Sequence, residues 1–253
     1  MKKNSHEELL REHSPEAIRQ RLKRSAVSQN VSDAVLGGID GCVTTFAVVA
    51  GTVGAGFSST VAVVLGFANL IADGFSMAVS NFESGKASKE FTDALRRIEQ
   101  EHIEKVPGGE REEIRQIFRE KGFTGETLEE IVRTISRDEC LWIETMLTEE
   151  YGIQKTAPSP LKSAIITFAA FLFVGAVPLL PFLFPMIEMR QQFVLSTCLA
   201  GVMFFLIGML KSLVFAMPVF VSGLRTLLTG GAAAALAFVT GHLLRVVFHI
   251  GAV

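Results

Sequence analysis

Aromatic residues other than phenylalanine are almost missing from this chain, which has one Trp and one Tyr against 20 Phe in 253 residues. Cysteine is scarce too. Cys42, Cys140 and Cys198 are far apart, with no CxxC pair and no Cys/His cluster, so neither a disulfide framework nor a zinc site is indicated, and each is expected to be a small buried residue. The N-terminus starts Met1-Lys2-Lys3 and continues charged, without the apolar stretch of a cleaved signal peptide. Charge is nearly absent from five blocks, at about 34–57, 59–82, 161–186, 193–217 and 219–248. With 49% hydrophobic residues and a mean hydropathy of +0.39, that segregation excludes an ordinary soluble domain. The expected class is an all-α membrane protein with five transmembrane helices, its lipid bilayer a structural partner, and no nucleic-acid partner.

What is present is organised around acids in the wrong solvent. Asp40 lies inside the first apolar block, where a carboxylate at bilayer depth costs roughly 2.5–3.5 kcal/mol on insertion scales and normally faces a polar path. The second block carries Asn69, Asp73 and Met77 at i, i+4 and i+8, one helical face with two oxygen ligands and a thioether. No Lys or Arg lies deep in either block. Unpaired buried acids must be protonated or bind a cation. Gly37 and Gly41 have the spacing that lets helices approach closely, and Gly230-Gly231 before four alanines offers another thin surface, within one subunit or between two.

Four regions are expected: an N-terminal arm (1–33), spans one and two (34–82), a charged helical insert (83–157) and spans three to five (158–253). The arm holds seven Lys/Arg, Lys2, Lys3, Arg11, Arg19, Arg21, Lys23 and Arg24, which places it on the cytoplasmic side. A surface helix is expected at 15–25. Eighteen Asp/Glu and twelve Lys/Arg lie between Glu83 and Lys155, and turn signals divide that stretch into four helical pieces. The first is expected to continue span two and stop at Pro107-Gly108-Gly109. With five crossings, arm and insert share the cytoplasmic face, and only Arg190 and Arg245 stand against the positive-inside bias. Within the insert Glu99 and His102 are three apart, as are Glu110 and Glu113, and Met146 and Glu150 share a face. If the Pro-Gly-Gly turn folds two helices together, their carboxylates converge and repel unless a divalent cation sits between them. Lys105, Arg111 and Arg115 could equally make this a solvated, ion-paired surface.

The chain resembles the vacuolar iron transporters, the group that includes the yeast calcium cross-complementer and plant nodulin-like members. The likeness rests on Leu36-Gly37-Gly38-Ile39-Asp40-Gly41 with Thr44-Thr45, the run from Gly66 to Ala78, and Trp142 with Met146-Leu147-Thr148-Glu149-Glu150-Tyr151-Gly152-Ile153. The resemblance implies a homodimer of five-helix subunits that exports cytosolic Fe2+, and Mn2+ in some members, in exchange for protons. It makes Asp40 and Met77 path residues, and Glu99, His102, Glu110, Glu113, Met146 and Glu150 the ligands of a cytoplasmic metal-binding domain. No permanent cofactor is implied. Fe2+, with Mn2+, Co2+ and Zn2+ as further candidates, enters as substrate. The short termini point to a bacterial inner membrane, or a vacuolar membrane in a eukaryote. Two departures stand out: Asn69 and Asp73 replace a Glu and a Met of well-studied members, and His102 replaces a Glu. A membrane-tethered di-iron ferroxidase built on Glu99-x-x-His102, and a Mg2+ or Ca2+ channel with an acidic regulatory domain, are the alternatives.

Overall fold

The computed structural model describes residues 10–23, 27–153, 159–215 and 218–249, with side chains except at 21–28 and 213–217. Lys2, Lys3, Arg24, Lys155, Pro158 and the last four residues therefore lie outside the described residues. Every regular element described is helical: α1 (Pro15–Lys23), α2 (Val27–Gly54), α3 (Ser59–Lys105), α4 (Pro107–Glu120), α5 (Gly125–Ile135), α6 (Glu139–Glu149), α7 (Pro160–Ala176), a 3-10 segment (Val177–Leu183), α8 (Met189–Phe215) and α9 (Val219–Phe248). Five of them, α2, α3, α7 with its 3-10 extension, α8 and α9, are long and apolar enough to cross a membrane. The chain divides into two compact units, 1–82 with 160–253 and 83–159, and α3 belongs to both.

In the first unit, α2 is the central helix. Its Gly37 and Gly41 lie so close to α7 that a Cβ on either would stand 2.2 Å from the Thr167 carbonyl or 2.4 Å from that of Phe171. Small residues bring backbones together where no hydrophobic effect operates between helices. Around this contact Cys42, Phe46, Val49, Leu70, Phe171, Leu179 and Phe204 form the buried core. Gly230 packs against Phe204 in the same subunit, whereas Gly231 meets nothing within 4 Å and leaves its side of α9 open. The turn from α2 to α3 needs Gly56, which has a φ of 76°.

Pro178 and Pro181 end the α-helical part of the third span and tighten it into the 3-10 segment. Carbonyls released there cannot turn to water in a bilayer. Ser196 donates to the Pro178 carbonyl at 2.7 Å, and the Gln192 amide donates to that of Phe184 at 3.0 Å. Gln192 is itself held by the Ser59 hydroxyl, which donates to its Oε1 at 2.6 Å.

In the second unit, α4, α5 and α6 pack with the end of α3. Ile114, Val132, Ile135, Trp142 and Met146 form one core, and Leu95, Ile143 and Leu147 a second, with Ile103 touching both. Pro107 begins α4 rather than following a long break, because a missing N–H is harmless in a first turn. The interruption after α3 shrinks to Val106. Of the cysteines only Cys42 is buried; Cys140 sits exposed in the first turn of α6 and Cys198 on an outward face of α8.

Gly41→Val is expected to lower the thermal midpoint of the detergent-solubilised protein, followed by circular dichroism, through overpacking of roughly 1–3 kcal/mol or more. Gly231→Ala, made in open space, is expected to leave it unchanged or slightly raised. Equal effects at both positions would contradict the packing described.

Candidate metal centres

In the membrane unit, Gly66, Leu70 and Gly74 form the stripe of α3 that meets α7 and its 3-10 extension: a Cβ at Gly66 would strike Leu179 of the 3-10 segment, and one at Gly74 would press on Phe171 and Phe168 of α7. Asn69, Asp73 and Met77 each precede a member of that stripe or its continuation, so they lie on the adjoining stripe, turned about 100° away. Asn69 and Met77 are half-buried, Met77 against the apolar core, while Asp73 is exposed on the isolated chain. Its neighbours on the helix surface are Asn69 and Leu70 one turn before and Ser76 and Met77 one turn after. Asp40 is half-buried on α2, and its carbonyl accepts from the Thr44 hydroxyl at 2.8 Å. Asp40 and Asp73 are within electrostatic reach of each other. The Asn69 amide nitrogen is buried without a partner. Two acids, an unsatisfied amide and a thioether thus flank the α2–α3 side of the bundle, and no Lys or Arg pairs with either acid among the described residues.

The insert sorts its acids by partner. Lys105 pairs with Glu101, Arg115 with Glu112 and Glu129, and Lys121 with Glu149, all on solvated surface, while Arg111 lies over the Trp142 ring at 5.6 Å. None of those cations reaches Glu99, Glu110, Glu113 or Glu150. The ion-paired surface expected from Lys105 and Arg115 exists, and it is made with other acids.

Glu99 is 1% exposed and Glu110 is 3% exposed, burial that carboxylates rarely show without a partner, and each has one oxygen with no hydrogen bond. The other oxygen of Glu99 accepts from the Tyr151 hydroxyl at 3.0 Å. The other oxygen of Glu110 stands 3.3 Å from His102 Nδ1. Burial first, then repulsion by Glu113 and Glu99, pushes the Glu110 carboxyl up to about 7, with His102 pulling the other way and Glu150 adding to the rise. Glu150 is also raised, by burial and then by Glu99 and Glu113. Burial and the bond to Glu99 hold the Tyr151 phenol above its ordinary value.

Glu99, His102, Glu110, Glu113 and Glu150 therefore feel one another across α3, α4 and the end of α6. Met146 differs: it is fully buried in the apolar cluster with Ile114 and Trp142. Among the described residues no three His, Cys, Asp or Glu side chains stand in a geometry that could hold an ion, so gathering one requires these side chains to turn inward. Tyr151 was not singled out as a site residue in the sequence. As the chain's only tyrosine, next to Glu150, it carried a signal that spacing rules for ligands do not read.

The family model described as the VIT family matches residues 31–242. Among curated relatives, a vacuolar iron transporter of Toxoplasma gondii is 31% identical over 229 residues, covering 87% of this chain and 76% of its own. One from Centaurea cyanus is 31% identical over 213 residues, covering 83% and 86%. Vacuolar iron transporter 2 of Oryza sativa subsp. japonica is 30% identical over 218 residues, covering 85% and 88%.

An ordinary glutamate here titrates near 4.5 and Glu110 near 7, so the protonated form stabilises the folded insert fully below 4.5, and that contribution is lost as pH rises through about 7. Thermal stability reported by Trp142 fluorescence, the chain's only tryptophan, is expected to fall between pH 4.5 and 7.5 in the full-length protein. Glu110→Gln, neutral throughout, is expected to remove most of that fall; an unaltered slope would contradict the assignment.

Proposed function

The chain belongs to the VIT family, and from that premise we propose that it carries divalent iron across a membrane in exchange for protons. It is a multi-pass membrane protein and a metal transporter, not an enzyme: its relatives are named as iron transporters. The ferroxidase alternative also needs a second Glu-x-x-His, which one insert does not contain and only a second subunit would supply. The observation that carries the reading is the set of carboxylates deprived of Lys and Arg in both units, since such groups are compensated by a proton or a metal ion and can trade one for the other.

In this reading Glu99, His102, Glu110, Glu113 and Glu150 collect Fe2+ from the cytoplasm, with Met146 supplying a sulfur from the floor of the site. Glu110, poised near 7, gives up its proton as the ion arrives. Crossing uses the oxygen and sulfur ligands Asp40, Asn69, Asp73 and Met77. Protonation of Asp40 or Asp73 from the more acidic side weakens that ligand set and releases the ion. Exposed Asp73 cannot face lipid, and a homodimer that covers this side of α3 with a second copy gives it a polar surrounding. Mn2+ fits the same oxygen donors, and Co2+ and Zn2+ are further candidates, while Met77 favours transition metals over Mg2+ and Ca2+. A basic arm and an insert on the cytoplasmic face set the direction as export, across a bacterial inner membrane or a vacuolar one.

In proteoliposomes Asp40→Asn is expected to reduce Fe2+-driven proton movement roughly tenfold or more, as loss of a group supporting a metal typically does. Met77→Ala is expected to lower Fe2+ transport. Full proton movement in the first variant would remove Asp40 from the path, and indifference to the second would favour a channel for hard cations.

A further inference from the structure

Tyr151 meets two acids of the insert and has no role so far. The chain brings it there by a fixed route. At the end of α6 the Glu150 N–H donates to the Met146 carbonyl at 2.9 Å, and Gly152 then takes a φ of 68°, the left-handed conformation that closes many helices. The Ile153 N–H returns to the Leu147 carbonyl at 2.9 Å, and the Ile153 side chain packs with Leu95, Ile143 and Leu147. Leu95 is one turn before Glu99 on α3, so the segment carrying Tyr151 is pinned beside that acid. The phenol donates to Glu99 Oε1 at 3.0 Å and is within hydrogen-bonding reach of Glu150. It has one proton to give. Glu99 Oε2, on a residue 1% exposed, has no hydrogen-bond partner.

The two oxygens of Glu99 are therefore unlike. One is held by a neutral donor, which fixes the side chain, and the other is buried and unsatisfied, a costly state that a cation relieves. We propose that Tyr151 is the positioning residue of Glu99: its hydroxyl occupies Oε1, so that Glu99 offers the divalent ion one oxygen, Oε2, in a fixed place. The inference rests on the reading of the insert as an ion collector. It adds a distinction between a fixed ligand and movable ones. Glu113 and Glu150 are exposed and have room to turn, and the site closes by bringing them to the ion that Glu99 holds. A carboxylate already oriented by a hydrogen bond has less freedom to lose on ligation, and outer hydrogen bonds of this kind carry roughly tenfold to a hundredfold in metal affinity.

The test uses the detergent-solubilised full chain and Fe2+ with oxygen excluded. Equilibrium dialysis of the parent and of Tyr151→Phe, which keeps the ring and loses the hydroxyl, is expected to show an apparent Kd roughly tenfold higher in the variant. Parental affinity in Tyr151→Phe overturns the proposal. A second measurement needs no variant. Tyr151 is the chain's only tyrosine, so the tyrosine bands of the ultraviolet resonance Raman spectrum report its hydrogen bond alone. Those bands are expected to shift in step with Fe2+ occupancy, because a carboxylate that ligates a cation becomes a weaker acceptor, and a purely structural tyrosine would not follow the titration. Bands unmoved at saturation overturn the proposal, whether or not Tyr151→Phe folds. A parent that binds no Fe2+ removes the collector reading itself, a result distinct from a parent that binds the ion with its tyrosine bands unmoved.

Discussion

Carboxylates withdrawn from water and given no cationic side chain are the constraint on which both units of this chain turn. In water an exposed acid with a lysine beside it gains little and demands little. Removed from water, the same acid must find a proton, a metal ion or a set of hydrogen-bond donors. Asp33, Asp40 and Asp73 are in that position in the membrane unit, and Glu99 and Glu110 in the insert, with Glu113 and Glu150 exposed beside them. The insert does not lack cations. Lys105, Arg115 and Lys121 are present and are spent on Glu101, Glu112, Glu129 and Glu149, which leaves the inner acids to one histidine and one tyrosine.

Packing decides where those acids stand. In the membrane unit, glycines at Gly37, Gly41, Gly66 and Gly74 let α2, α3 and α7 close on one another, and the polar residues occupy the stripes beside the contact. Asp73 adjoins Gly74, and Asp40 adjoins Gly41. The glycine draws the helices together, and the neighbouring acid is left at the margin of the seam, where polar groups of two helices can meet. In the insert the apolar cluster of Ile114, Trp142 and Met146 does the same work from below, holding α4 and α6 against the end of α3. Glu99 and Glu110 are buried as a consequence of that packing, and their orphaned oxygens follow from the burial.

Hydropathy was enough to read the five spans, because a bilayer-crossing helix must be apolar over its whole circumference away from the seam. The helix that carries the first span starts earlier than its apolar block: α2 begins at Val27, seven residues before it, since Gln29, Asn30, Ser32 and Asp33 are polar yet helical. The same cut hid Asp33, which is buried within the protein and so leaves no hydropathy signal. Helical periodicity did place Asn69, Asp73 and Met77 on one stripe. It could not show that Asp73 faces outward, which depends on Gly66 and Gly74 fixing the rotation of α3. Convergence of the insert carboxylates was foreseeable from the spacing of Glu99, Glu110 and Glu113, whereas the sorting of lysines and arginines onto other acids is a tertiary result. Met146 reads as a ligand by likeness, and the structure adds that it is buried in the apolar cluster.

The central claim is that these acids exchange a metal ion for protons. It is tested most directly by loading the unaltered protein into proteoliposomes with an acidic lumen and following Fe2+ entry and luminal pH together. The account predicts that entry is faster than without the gradient, and that the lumen becomes more alkaline as Fe2+ arrives. Entry at the same rate with and without the gradient, with luminal pH unmoved, would contradict it.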